Sequence, residues 1–209
     1  MNNENEKIDW KERFKDICIQ NLNTPESLDV FHDLLKNVPD YFYHVPASSS
    51  GKYHPASSLG EGGLVRHTLS ALDFLCRMIE CDEDLQSEEM LYKKEEMKLA
   101  IMFHDTFKSG SDEQYAKNNS TKFAHPQYAA HMVIMTESAG FLKISKKTVV
   151  DCILSHMGMW NTCKYDNLVL PRPRTKFEKM VHIADYLASR KEIDIDFDNE
   201  SSPISKNNS

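Results

Sequence analysis

An all-α domain is what this sequence predicts, on two observations. Glycine totals only seven of 209 residues, and the apolar residues recur mostly at spacings of three and four. Strand-like alternation occurs in the short run IDIDF at 193–197, and five residues weigh little against the rest. A chain of this length can bury one sizeable core, so a single domain is expected.

The elements follow in order. A first helix is expected over about residues 7–20, with Trp10, Phe14, Ile17 and Cys18 on one face. Thr24-Pro25-Glu26, a capping residue followed by proline in the first turn, announces a second helix running to Val38. Pro39, Pro46, Ser48 to Gly51 and Pro55 make the next stretch a loop. Gly60, Gly62 and Gly63 end it, and a helix carrying Leu64, Leu69, Leu72 and Leu75 follows. Glu80 to Glu89 is an acidic connector, and the next helix ends near His104-Asp105. Residues 108–124 are polar and read as a flexible loop over a site. Two helices are expected at about 126–139 and 145–157. The proline- and arginine-containing loop LVLPRPRT then leads to a last helix through Asp185 to Arg190. The organisation expected is N-terminal helices and a loop over 1–52 packed on a core of 53–192, then a flexible polar tail over 193–209.

Composition excludes several function classes. A formal net charge of -7 does not attract a long polyanion, so long nucleic acid is disfavoured as a partner. No apolar run approaches the roughly 18 residues of a membrane span, and MNNENEKIDW has no signal-peptide core. The five cysteines are odd in number and form no C-x-x-C pair, which suggests reduced thiols and a cytoplasmic protein.

The chemistry lies in an ordered series: His67, His104-Asp105, His125, His156 and Asp185. Each lies on or at the end of an expected helix. Imidazoles and carboxylates gathered from several helices are what divalent metal ions need. Adjacent residues on one helix diverge by about 100°, so His104 and Asp105 can serve one metal only near a helix end, or with the aspartate bridging to a second metal. Asp185 lies among apolar neighbours, where a carboxylate is costly to bury unless paired or metal-bound. A single histidine in an apolar helix is more often a satisfied core or boundary residue, and His32, His44 and His182 fit that bland reading. His131, six residues after His125, shares its helix face poorly. The joint pattern of six residues outweighs the bland reading of each one.

That pattern resembles the HD-domain metal-dependent phosphohydrolases. The residues that carry the resemblance span about 53–190: KYHPASSLGEGGLVRHT, FHDTFK, FAHPQYAAH, ILSH and ADYLASR. The resemblance implies an HD-domain helical bundle, with 53–192 as its core. It implies that His67, His104, Asp105 and Asp185 hold one metal ion, that His125 and His156 add ligands for a second, and that Asp105 bridges them. Such a two-metal branch includes cyclic-dinucleotide phosphodiesterases and some exoribonucleases. The GYP signature of the cyclic-dinucleotide enzymes is absent, and the motif usually written HDIGK reads HDTFK here. Manganese, iron, cobalt, nickel or zinc suits a nitrogen-rich site, whereas magnesium prefers oxygen.

Around the ligands, Lys108 is expected to reach a phosphate or to lie solvated at a helix end. His54 is expected to contact phosphate, donate a proton or cap its loop. Arg66 pairs with an acid or binds substrate. Arg172 and Arg174, with Lys176, form a basic cluster that binds a phosphorylated substrate or is a solvated loop. The expected activity is hydrolysis of a nucleotide, cyclic nucleotide or short oligonucleotide phosphoester, with Asp105, Lys108 and His54 as catalytic residues. Self-association is compatible with all of this. The rivals are a di-iron oxygenase on the same framework and a non-catalytic metal-stabilised module, the latter needing a site closed by protein ligands.

Overall fold

The computed structural model describes residues 8–48, 51–165 and 167–193. The expected tail and most of IDIDF lie outside the described residues. Among the described residues there are eight α-helices and no strand; one antiparallel bridge joins Thr162 to Val169. The helices are α1 (Trp10–Asn21), α2 (Pro25–Leu35), α3 (Gly63–Glu80), α4 (Leu91–Phe103), α5 (Asp112–Lys117), α6 (His125–Met135), α7 (Lys146–Ser155) and α8 (Lys176–Ala188). They form one all-α domain around a continuous buried core. No described helix is long and apolar enough to cross a membrane.

Caps explain where the helices start. The Asp9 carboxylate accepts hydrogen bonds from the amides of Lys11 and Glu12 at 3.0 and 3.2 Å, and Thr24 Oγ1 accepts from Ser27 at 3.1 Å. Both hold amides that the helix itself leaves unpaired. The α1 face foreseen from spacing is buried: Trp10, Phe14, Ile17 and Cys18. Phe14 meets Phe42 edge-on at 5.2 Å, and Phe31 meets Phe103 at 5.6 Å, so α1, α2 and the end of α4 share one aromatic cluster.

Three helices stop earlier than apolar spacing suggests. The second ends at Leu35, not Val38, because Lys36 to Val38 tighten into turns before Pro39. The sixth ends at Met135, not 139. Thr136 turns to extended backbone so that Gly140 can sit against the first turn of α2, where a β-carbon would run into the Glu26 carbonyl. The seventh ends at Ser155, leaving His156 as its C-cap. The 108–124 stretch is not wholly irregular. Ser111 and Gln114 form a reciprocal capping box that starts α5 inside it.

The centre of the domain is set by α3. It packs chiefly on α8 and α4, while α7 packs on α6, α4 and α8. Its start needs the glycine turn, since Gly62 has φ +69° and lies under the Trp10 ring. These five helices bring their ends to one place.

Candidate metal centre

Four of the six candidate donors sit at helix ends. His104 and Asp105 follow α4 in a turn, His125 opens α6 beside Pro126, and His156 closes α7. His67 comes from the second turn of α3 and Asp185 from the last turn of α8. Apart from the half-buried Asp185, all are buried.

Three histidines are oriented by one local device. Nδ1 of His104, His125 and His156 lies 2.6–2.7 Å from the carbonyl oxygen three residues earlier: Ile101, Lys122 and Ile153. A carbonyl only accepts, so each Nδ1 carries the proton and donates it. Each Nε2 is thereby left to point inward; when the ring is neutral it carries a free lone pair, the form that binds metals.

The donors fall into two groups that meet at one carboxylate. On one side His67 Nε2 is 3.1 Å and His104 Nε2 3.3 Å from Asp185 Oδ1, and they lie 3.7 and 3.6 Å from Asp105 Oδ2. On the other, His125 Nε2 is 2.9 Å and His156 Nε2 3.7 Å from Asp105 Oδ1, and the two imidazole nitrogens are 3.2 Å apart. Within each group the donor atoms lie inside 4.8 Å of one another. Lys108 Nζ grips Asp105 Oδ2 at 2.6 Å.

This donor set fits cations. With their protons committed at Nδ1, neutral His125 and His156 would turn two nitrogen lone pairs and a carboxylate oxygen toward each other with no hydrogen between them. Such a cluster requires an added proton or a metal ion. His104 Nε2 is buried without a well-formed hydrogen bond. Burial alone would raise the Asp105 carboxyl, yet Lys108, His104 and His125 outweigh it and hold it well below the usual range. Burial is likewise outweighed at Asp185, by the adjacent imidazoles of His104 and His67, which hold its carboxyl well below the usual range. Burial, then the proximity of His104, pushes His156 down to about 3, so it stays neutral and available as a ligand at ordinary pH.

The cluster opens into a cavity of about 200 Å³. Lys108 and His54 line it, as the sequence suggested. Burial and then His67 push His54 down to about 3, so its imidazole is neutral near pH 7. It can offer a neutral N–H.

The expected basic contacts lie elsewhere. The guanidinium of Arg66 donates to the carbonyls of Ser57, Leu59 and Glu61 and lies over the Trp10 ring at 4.5 Å, so it clamps the loop before α3. Arg172 pairs with Asn161 at 3.3 Å, and the Arg174 amide donates to Glu178 at 2.8 Å. Lys176 bridges Asp82 and Asp84 at 2.6 and 2.8 Å. None of these four lines the cavity. The cation that does, beside Lys108, is Arg190, with Tyr186, Ser189 and Trp160. Of these, Ser189 was legible by helix phase, four residues after Asp185, whereas Tyr186 and Arg190, one and five residues on, are out of phase with it. Trp160 had no such signal.

Among the described residues the other histidines stay out of the metal cluster, and two of them are not core residues either. His32 and His44 are exposed, and His182 Nδ1 donates to the His156 carbonyl at 2.7 Å. His131 borders a separate cavity of about 860 Å³ between α2, α5 and α6, which none of the six donors line.

The fold and the site define a class: an all-α protein with a buried histidine–aspartate centre suited to divalent metal ions. Residues 64–190 match the family described as HD domain, and the chain belongs to that family, placing it in a superfamily of metal-dependent hydrolases. Comparison with curated proteins and with solved structures returned no match.

Proposed function

We propose that this chain is a divalent-metal phosphohydrolase that cleaves a nucleotide-based phosphoester. The observation that carries this reading is the division of Asp105, one oxygen toward His67 and His104, the other toward His125 and His156. His67, His104, Asp105 and Asp185 would hold one ion, and Asp105, His125 and His156 a second. Bound ions supply a water acidic enough to give hydroxide near neutral pH and positive charge for the phosphoryl oxygens.

The chain's own groups do the rest. The Ile101, Lys122 and Ile153 carbonyls keep three imidazoles in one tautomer and one orientation. Lys108 steadies the shared carboxylate, and with Arg190 it borders the cavity as a cation for phosphate oxygens. Neutral His54 supplies a hydrogen bond there. The open cavity favours an enzyme over a structural metal module, whose site would be closed by protein ligands.

Metal counting on anaerobically purified protein tests the reading. The wild type should carry about two ions per chain. The His125→Ala/His156→Ala double variant should carry about one, with circular dichroism unchanged. Full metal content in that variant, with weakened substrate binding, would reassign both histidines to phosphate contact and reject the second ion. Phosphate and nucleoside release should be screened over mono-, tri-, cyclic and dinucleotides, in air and under argon. Turnover should be equal in both atmospheres; dependence on oxygen, or no release from any nucleotide, would overturn hydrolysis.

A further inference from the structure

A second, wider groove of about 780 Å³ continues from the metal centre. The two spaces share Thr121, His125, Met157 and Trp160 in their walls. A ligand whose phosphate lies at the centre has room to extend into this groove. Its size is within the roughly 300–1,000 Å³ of small-ligand sites.

We infer that this groove takes a short single-stranded oligonucleotide, one base lying on Trp160 and the adjoining phosphate met by Lys122 and Lys164. The inference rests on the phosphohydrolase reading in one respect: the substrate's reacting phosphate is the end that enters the metal cavity. Large apolar side chains are exposed along this groove: Trp160 at 47%, Met159 at 70% and Tyr165 at 96%, with Tyr128 also lining it. Trp160 is held as a plate. It stacks on Tyr186 with centroids 5.3 Å apart and planes 15° apart, and the Arg190 guanidinium lies 4.4 Å from the Tyr186 ring and 5.9 Å from that of Trp160. A ring fixed in this way loses little freedom when a base stacks on it.

Aromatic faces interleaved with cations are what single-stranded nucleic acid binds, base on ring and phosphate on cation. A purely apolar ligand would leave Lys122 and Lys164 unmatched. The net charge of -7 sets the limit on length, because a longer strand would run out of the groove onto a surface that is acidic overall.

Isothermal titration of the metal-loaded full chain tests the inference, because it needs no turnover. The probes are phosphorothioate-linked ApA bearing a terminal 5′-phosphate, AMP and ribose 5-phosphate. ApA should bind tightest and ribose 5-phosphate weakest. Trp160→Leu should weaken ApA about tenfold and ribose 5-phosphate little. Tyr165→Ala, at a side chain too exposed to hold the fold together, should weaken ApA more than AMP. Equal affinity for all three probes, or an unaltered ApA affinity in both variants, overturns the groove whatever the activity. Tight, Trp160-dependent ApA binding without release of any product supports the groove and overturns the phosphohydrolase reading instead.

Discussion

At the residue scale the centre turns on Asp105. Its two oxygens face different groups of imidazoles, and Lys108 holds one of them at 2.6 Å. Substitutions at these two positions should differ in kind. Lys108→Ala removes a partner of a proposed ligand, a change that typically costs roughly 10–100-fold in metal affinity or activity. Asp105→Asn keeps the shape but removes the charge both groups rely on, so it should cost more than that and lower bound metal as well. Turnover and metal content measured on both variants check this; equal retained activity would remove Asp105 from its central position. His54 shows how environment decides a role that residue type leaves open. Its sequence position suits a proton donor, but burial keeps it neutral.

At the element scale, helix ends build the site. His104, Asp105, His125 and His156 all lie where a helix starts or stops, and there an imidazole can fold back onto a carbonyl three residues earlier. The donors themselves were legible in the sequence because they come as an ordered series of few residue types. The helical architecture was legible from spacing and caps such as Thr24-Pro25. What escaped were features that depend on contacts between distant segments. Arg66 stands beside His67 in sequence, yet its guanidinium turns to the loop carbonyls. Trp160 enters the site only because α7 and α8 pack together. The Ser111–Gln114 capping box is a local signal, and it was there to be read. The early end of α6 is tertiary in origin. Gly140→Ala would force the turn after α6 away from α2, and it should destabilise the fold by about 1–3 kcal/mol. Urea unfolding measures that cost, and an unchanged midpoint would show that the turn can relax freely.

At the scale of the whole molecule, five helices converge on a buried cluster of ionisable groups, so stability should depend on protons and metal together. Burial, with nearby His104 at one and His67 at the other, pushes His156 and His54 down to about 3 from the usual 6.5 of histidine. In the unfolded chain both take up protons near 6.5, while in the folded protein they do so only near 3. Below about pH 6.5 the unfolded state therefore binds more protons, and stability falls as pH drops toward about 3. The depressed carboxyls of Asp105 and Asp185 act in the same direction further down, their contribution being lost as pH falls through their folded values. His104 opposes them. Burial works against its charge, but Asp105 and Asp185 outweigh it and raise it, so its contribution is present below the usual 6.5 and is lost as pH rises through its folded value. Two lowered histidines and two lowered carboxyls against one raised histidine give net acid destabilisation. Urea midpoints of chelator-treated protein should decline steadily from about pH 6.5 downward, and a flat profile between about pH 7.5 and 5 would contradict the buried-neutral state of His54 and His156. Adding manganese should raise the midpoint near pH 7.5, and that gain should fade in acid, because protons and metal compete for the same Nε2 atoms.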